Sequence, residues 1–364
     1  MRRALVIGYG RSGKSAEAVL RQQGDNVSVV DGQDIVVVSP GVRVMSELEF
    51  GVRELRARGV KLLAVTGSKG KSSVVKIVAD AICRSGATAV PCGNYGLPVS
   101  EVARRDPLPD WAVIEVSSFQ LETTNLPPDA FVAATVLNLQ EDHLDRHGCV
   151  AVYHGLKRKL LAMTPNPIPE DAPATEGDAA LLEGSYFDND ILRTNGLRAI
   201  ALMRAAGLDA ETVRAAFAAF EPLPHRMNVV GEFGGVRCID DSKATSLAAL
   251  AAGVTMAGSS VRLVAGGLPK GDDPNSVREL LTKRVKKVYL IGQCAEAFAA
   301  AWESAVDCEV CGTIDKAVQT AMREAARGDT LLLSPGTASF DQFKSFGERG
   351  DVFAGLVKKE GQHK

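Results

Sequence analysis

At 364 residues the chain is too long for one ordinary domain, and 46% hydrophobic with 24% charged residues is the balance of a soluble globular protein. A formal net charge of −2 excludes a general electrostatic pull on nucleic acid or anionic lipid, so neither nucleic acid nor membrane is expected as a partner. The apolar run behind the N-terminal arginines stops at Gly8, short of a secretory signal, and no stretch approaches the roughly 20 residues that span a bilayer, so a cytoplasmic protein is expected.

In chain order, residues 3–8 (RALVIG) and 27–31 (VSVVD) read as strands around the loop Gly8-Tyr9-Gly10-Arg11-Ser12-Gly13, with Asp31 closing the second strand. Such glycines let backbone approach a phosphate at a helix N-terminus. A NAD-dependent dehydrogenase uses the same fingerprint. A full dinucleotide fold needs two βαβαβ halves, however, and only about 50 residues precede the next motif, so a holder for a nucleotide-linked substrate is expected. A further strand at 35–39 (IVVVS) and a charged helix over 47–59 lead to a boundary near 52–60.

Residues 61–74 (KLLAVTGSKGKSSV) run a buried strand into Gly67, Ser68, Lys69, Gly70, Lys71 and Ser72. Backbone N–H groups of such a loop cradle phosphates, its lysine reaches the β/γ-phosphates, and the hydroxyl that follows suits Mg²⁺. Only Ser68 and Lys69 separate the glycines, so this is not a strict Walker A, and a solvated Gly/Lys turn is the plain alternative. Strands at 111–116 (WAVIEV) and 131–138 (FVAATVLN) come next; Glu115 and His143 are expected to leave neighbouring parallel strands at their C-terminal ends, where open α/β sheets place ligands. For His143 alone a structural role is the plainer reading. The Pro-rich, acidic segment 164–178 reads as a surface loop, and 196–206 and 210–219 as helices.

A Pro222-Leu223-Pro224 turn opens the last third, with strands at 261–266, 287–292 and 329–334 and a helix over 314–326. Alternating strands and helices argue for parallel sheets flanked by helices, in three α/β units. LPHR (223–226), DDSKAT (240–245), GGLPKG (266–271) and SPGTASFDQFK (334–344) cluster polar groups at strand ends. Singly each is a cap or turn; four in one domain suggest a site. Seven cysteines are scattered, and Cys308 and Cys311, the one pair at metal-like spacing, lack a second pair and read as apolar thiols beside a strand.

Taken in order, TGSKGKSS (66–73), GNYGLP (93–98), EVSSFQLE (115–122), LNLQEDHLDRHG (137–148), Tyr153 with Lys157, LPHR, DDSKAT and SPGTASFDQFKSFGERGDVF (334–353) resemble the Mur ligases of peptidoglycan synthesis. The first motifs are shared with folylpolyglutamate synthase. The last, with SSFQLE and DHLDRHG, points to the D-glutamate-adding branch. The resemblance implies an α/β fold of three domains: a shortened Rossmann-like N-terminal domain (1–55) for the UDP-linked acceptor, a central P-loop-type ATPase sheet (56–222), and a C-terminal Rossmann-like domain (223–364) for the amino acid. It further implies an ADP-forming ligase that phosphorylates the acceptor's carboxylate and lets the D-glutamate amine attack the acyl-phosphate, acting as a monomer.

Residue by residue, the resemblance places Gly67, Ser68, Lys69, Gly70, Lys71, Ser72 and Ser73 on the ATP phosphates, Asn195 on adenine, Asp241 on ribose and Arg226 on phosphate. Ser72 and Glu115 would hold one Mg²⁺; Glu115, His143 and Lys157, the last as a carbamate made from CO₂, a second. Lys71, His143 and Lys157 are thus the catalytic set. Thr245, Lys270, Ser339, Phe340 and Phe346 would form the amino-acid pocket, and Ser12, Asp31, Ser39, Pro40, Gly41 and Asn94 would bind the acceptor. The chain departs from the family at Ile191 and Leu192 (a His-Asn pair), at Lys69 and Asp240 (asparagines) and at Ser246 (also asparagine). It is also shortened after Asp31 and around 164–190, so weaker binding of the nucleotide acceptor is expected. A folylpolyglutamate synthase-like ligase and a non-catalytic nucleotide-binding paralogue remain as alternatives.

Overall fold

The computed structural model describes residues 3–8, 10–31 and 44–362, in two compact units that divide between Glu221 and Pro222. The strand expected at 35–39, with Ser39, Pro40 and Gly41, and Tyr9 of the first glycine loop, lie outside the described residues.

The first unit begins with β1 (Arg3–Ile7), α1 (Arg11–Gln22) and β2 (Asn26–Val30), the two strands pairing in parallel from Arg3↔Asn26 to Ile7↔Val30. Helix α2 (Glu47–Ala57) follows, capped by Ser46, whose Oγ accepts from Glu49 N at 3.0 Å. Then come β3 (Lys61–Thr66), α3 (Lys71–Arg84), β4 (Ala89–Gly93), α4 (Val99–Val102), β5 (Trp111–Glu115) and α5 (Ser118–Thr123). The unit continues through β6 (Ala133–Val136), α6 (Leu144–His147), α7 (Val150–Lys159), β7 (Pro167–Ile168), α8 (Asp178–Leu182), α9 (Arg193–Ala205) and α10 (Ala210–Ala218). The five strands β3–β7 form a parallel sheet in the order β4-β5-β3-β6-β7. Because side chains alternate along a strand, Leu63 and Val65 pack into a core with α3, α9 and α10, while Leu62 and Ala64 pack into another with α2 and α4. A sheet buried on both faces leaves its C-terminal edge as the natural place for ligands.

Two expectations need correction. The strands that deliver Glu115 and His143 are not neighbours: β5 and β6 flank β3, which lies between them. Apolar runs reveal strands but not their lateral order. Nor is 164–178 wholly a surface loop, since Pro167–Ile168 pairs with β6 and Thr164 and Asp178 are buried. A strand containing proline is tolerated there because β7 is an edge.

The second unit contains β8 (Asn228–Phe233), β9 (Val236–Asp240), α11 (Leu247–Ala257), β10 (Val261–Gly266), α12 (Arg278–Arg284), β11 (Val285–Ile291), α13 (Ala295–Trp302), β12 (Asp307–Gly312), α14 (Ile314–Glu324), β13 (Thr330–Leu333) and α15 (Phe346–Gly361). Its sheet runs β12-β11-β10-β13-β9-β8, parallel except for the β8–β9 hairpin. Cys308 and Cys311 lie on β12 and pack into different cores, on opposite faces of the sheet, so the two thiols do not form a ligand pair. Among the described residues no helix is long and apolar enough to cross a membrane.

Candidate functional site

Strand β3 delivers the loop. Thr66, fully buried at its end, donates to Val116 O at 2.7 Å, and residues 67–70 then turn into α3. Gly70 adopts φ +84°, and a Cβ there would stand 2.1 Å from Asn195 Nδ2. Glycine is therefore required both for the turn and for the approach of α9. The loop is laced to the segment after β6. The Asn138 amide accepts from Lys69 N (2.9 Å) and donates to Lys69 O (2.8 Å) and to Asn195 Oδ1 (3.0 Å). Ser68 Oγ donates to Gln140 O at 3.0 Å and accepts from Gln140 N (2.9 Å) and Tyr153 OH (3.2 Å). The result is a fixed ring of backbone at the N-terminus of a 14-residue helix, whose dipole favours an anion.

Cations surround the ring. Lys71 is part-buried rather than solvent-facing; its Nζ donates to Gly67 O at 2.8 Å and Ser68 O at 3.1 Å. Lys157 Nζ donates to the same Gly67 O at 2.9 Å and stands 4.5 Å from the centroid of the Tyr153 ring, one helical turn before it on α7. Lys157 is 1% exposed, although it opens the basic run Lys157-Arg158-Lys159. Burial, reinforced by the nearby Lys71 ammonium, pushes its pKa down to about 7.

Glu115 is buried at the end of β5. Its Oε1 accepts from Asn94 Nδ2 at 2.7 Å, while Oε2 is buried without a hydrogen-bond partner. A lone carboxylate oxygen out of water is costly unless a cation completes it, and oxygen donors suit Mg²⁺. His143 follows β6 in the left-handed conformation (φ 54°), its N–H on Asp142 Oδ1 at 3.1 Å and its ring edge-on to Phe119 at 5.0 Å. Burial lowers the His143 pKa; Asp142 opposes this and Lys157, Lys69 and Lys71 add to it, so the neutral imidazole is favoured. Among the described residues no three His, Cys, Asp or Glu side chains converge as a metal cluster. The expected set contributes only Glu115 and His143 of those types, with the Ser72 hydroxyl and the Lys157 amine.

Sequence reasoning missed a second group of contacts. His147, buried on α6, has Nε2 3.0 Å from Ser118 Oγ and Nδ1 3.1 Å from Glu122 Oε1, and Arg146 Nη2 donates to Glu122 Oε2 at 2.8 Å. The motifs SSFQLE and DHLDRHG are thus held against each other.

In the second unit, β9 and β13 deliver Asp241 and Ser334. Asp241 accepts from Ser334 Oγ (2.9 Å) and Met227 N (3.3 Å), and burial pushes its pKa up to about 7. His225 Nδ1 lies 2.6 Å from Asp240 Oδ2. Lys270 Nζ donates to Thr245 Oγ1 at 3.3 Å, and Lys243 Nζ stands 3.8 Å from the Phe346 ring centroid. Ser339 is buried, whereas Phe340 is 69% exposed. Arg349, also missed, is fully buried. Its guanidinium donates to Ser242 Oγ (3.0 Å), Ser242 O (2.9 Å), Thr337 O (3.2 Å) and Ala338 O (3.3 Å), so α15 pins DDSKAT to SPGTAS. Its residue type in the GERG stretch was visible, but nothing local marked it as buried.

Residues 65–177 match the Mur ligase middle domain, and residues 225–336 the Mur ligase, glutamate ligase domain. The UDP-N-acetylmuramoylalanine–D-glutamate ligase of Acidobacterium capsulatum is 30% identical over 447 aligned positions, spanning 98% of this chain and 96% of that protein. The protein of the same name from Nitratidesulfovibrio vulgaris is 32% identical over 423, at the same coverages. The chain belongs to the Mur ligase family. Both aligned spans exceed 364 residues, so these relatives carry segments that this Mur ligase lacks. Among solved structures, MurF ligase from Thermotoga maritima in complex with ADP superposes with a TM-score of 0.66 at 15% identity, over 100% of this chain and 96% of that one. UDP-N-acetylmuramate-alanine ligase MurC from the same organism gives 0.65 at 12%, over the whole of both chains. These likenesses show the three-domain Mur ligase fold.

Within this Mur ligase, Gly67, Ser68, Lys69, Gly70, Lys71, Lys157 and Asn195 gather around one loop, and Asn94 around Glu115. Asn94 was expected on the acceptor; its amide here holds the Glu115 carboxylate. Ser72 and Ser73 are buried in the first turn of α3. Ser12 and Asp31 are exposed near α1 and β2.

Proposed function

We propose that this Mur ligase joins D-glutamate to UDP-N-acetylmuramoyl-L-alanine with hydrolysis of ATP to ADP, in the synthesis of peptidoglycan precursors. The end-to-end similarity to D-glutamate ligases, at 30–32% identity over 98% of the chain, carries the reading. The acceptor's carboxylate is a poor electrophile. Transfer of the γ-phosphoryl to a carboxylate oxygen releases ADP and gives an acyl-phosphate; attack by the amine of D-glutamate forms the amide and expels phosphate.

Residues 67–73 hold the polyphosphate, with Lys71 moving from the Gly67 and Ser68 carbonyls to the transferring group. Asn195 takes adenine, Asp241 ribose and Arg226 phosphate, while Thr245, Lys270, Ser339, Phe340 and Phe346 line the amino-acid site. Ser12, Asp31 and residues 39–41 take the UDP-linked acceptor. Ser72 and Glu115 hold one Mg²⁺; Glu115, His143 and carbamylated Lys157 hold another. Such ions, when bound, offset the charge of a carboxylate meeting a phosphate. The partly unsatisfied Glu115 and the depressed Lys157 pKa support this assignment. The same reading divides the chain at 1–55, 56–222 and 223–364, and makes it a cytoplasmic monomer with a weakened grip on the uridine.

Phosphate release tests the proposal, with ATP, UDP-N-acetylmuramoyl-L-alanine and D-glutamate each omitted in turn. Release is expected only with all three present. Turnover with L-glutamate or a folate instead, or ATP binding with no turnover, refutes it.

A further inference from the structure

Lys69 stands where the family's loop has asparagine, and the structure gives its side chain a distinctive position. Its backbone is held on both sides by the Asn138 amide, at 2.9 and 2.8 Å. The backbone of the loop is therefore fixed independently of the Lys69 side chain. That side chain reaches Asp142, Nζ to Oδ2 at 3.1 Å, with side-chain exposures of 34% and 28%. The other Asp142 oxygen accepts from His143 N. Burial pushes the Asp142 pKa up, but the Lys69 ammonium, together with His143, outweighs it and holds the carboxyl below its usual range.

A carboxylate and a phosphate differ in the strength with which they hold an ammonium at this position. A half-exposed ion pair favours its contact by only about 2–5-fold. A charge-assisted hydrogen bond to a phosphate at the mouth of a helix is worth about 10-fold or more. An arriving polyphosphate therefore outcompetes the carboxylate.

We propose that Lys69 is a polyphosphate-binding cation that Asp142 holds in reserve, and that its ammonium leaves the carboxylate for a phosphate oxygen when nucleotide enters the loop. The inference rests on residues 67–73 being a phosphate loop and adds a competitor built into that loop. Asp142 then weakens nucleotide binding while adding to Glu115 a second negative charge beside Lys71 and Lys157.

Titration calorimetry of the full chain with ATP and with adenosine, in magnesium-free buffer, tests it. Lys69→Met should weaken ATP about 10-fold and leave adenosine unchanged, while Lys69→Arg should bind ATP like the wild type. Asp142→Asn should act in the opposite direction and tighten ATP by about 2–5-fold. Wild-type affinity in Lys69→Met overturns the proposal. So does Asp142→Asn weakening ATP alongside Lys69→Met, which is the pattern of a strut rather than a competitor. Asp142→Asn leaves Lys69 intact and decides the matter if Lys69→Met folds poorly. A wild-type protein that binds adenosine but gains nothing from the phosphates would overturn the phosphate-loop reading itself, and this inference with it.

Discussion

Replacing Lys157 with methionine should make the protein more stable at acid pH, because the native lysine is held where its charge is disfavoured. Its pKa falls from the ordinary 10.5 to about 7, through burial first and then the Lys71 charge. Below pH 7 the folded and unfolded chains both hold the proton, and the folded state bears the full cost of a buried ammonium. Between about 7 and 10.5 only the unfolded chain holds it, so wild-type stability rises with pH across that window, by up to about 5 kcal/mol. Methionine keeps a long apolar stem against Tyr153 and has nothing to titrate, and Lys71 still donates to Gly67 O. Lys157→Met should therefore exceed the wild type by about 3–5 kcal/mol at pH 6, the gap closing toward pH 10. Urea unfolding of both proteins in CO₂-free buffer across that range measures the gap. Bicarbonate at pH 8, where the amine is neutral, should then stabilise the wild type alone. A gap that does not change with pH, or a wild type that is the more stable at pH 6, refutes the reasoning.

Three further outcomes are expected. Gly70→Ala forces alanine into φ +84° and against Asn195, and should cost about 1–2 kcal/mol in stability and at least about tenfold in ATP affinity, read by denaturation and calorimetry. Asp241 has its pKa raised to about 7, so the stability linked to it is present below pH 3.8 and lost as pH rises through 7; Asp241→Asn should be the more stable protein at pH 8, by about 2–4 kcal/mol, and lose that advantage by pH 4. Arg349→Met strands the Ser242 and Thr337 carbonyls, while Ala338 O keeps its bond from Leu268 N, and should lower stability by about 3 kcal/mol in urea unfolding.

The parts of the site legible in the sequence are those made by neighbours along the chain. A strand, a glycine turn and a helix start are written within residues 61–74, and the structure builds them there. Lys157 was visible only through resemblance; nothing in the basic run Lys157-Arg158-Lys159 marks its first residue as buried, and its place beneath Gly67 depends on how α7 packs. Asn138, His147 and Arg349 were missed because each works through a partner far away in sequence, which no local pattern marks. The same reason explains the error over Glu115 and His143. Hydrophobic runs identified β5 and β6, but their separation by β3 is set by pairing, not by composition. Strands β4, β8, β9 and β12 escaped notice: β4 is a short edge containing proline, β8 is half exposed, and charged residues interrupt the short apolar runs of β9 and β12.

The Asn138 clamp has a consequence for how the protein comes into being. The amide that shapes the loop lies 69 residues beyond Lys69. A fragment that stops before β6 would contain the entire GSKGKS motif but lack the Asn138, Gln140 and Tyr153 braces that lace it into a ring. Closing so long a segment costs entropy before any contact rewards it. Competence to bind a nucleotide should therefore appear late in folding, when β6 docks beside β3, and ATP should discriminate against partly folded chains instead of nucleating them.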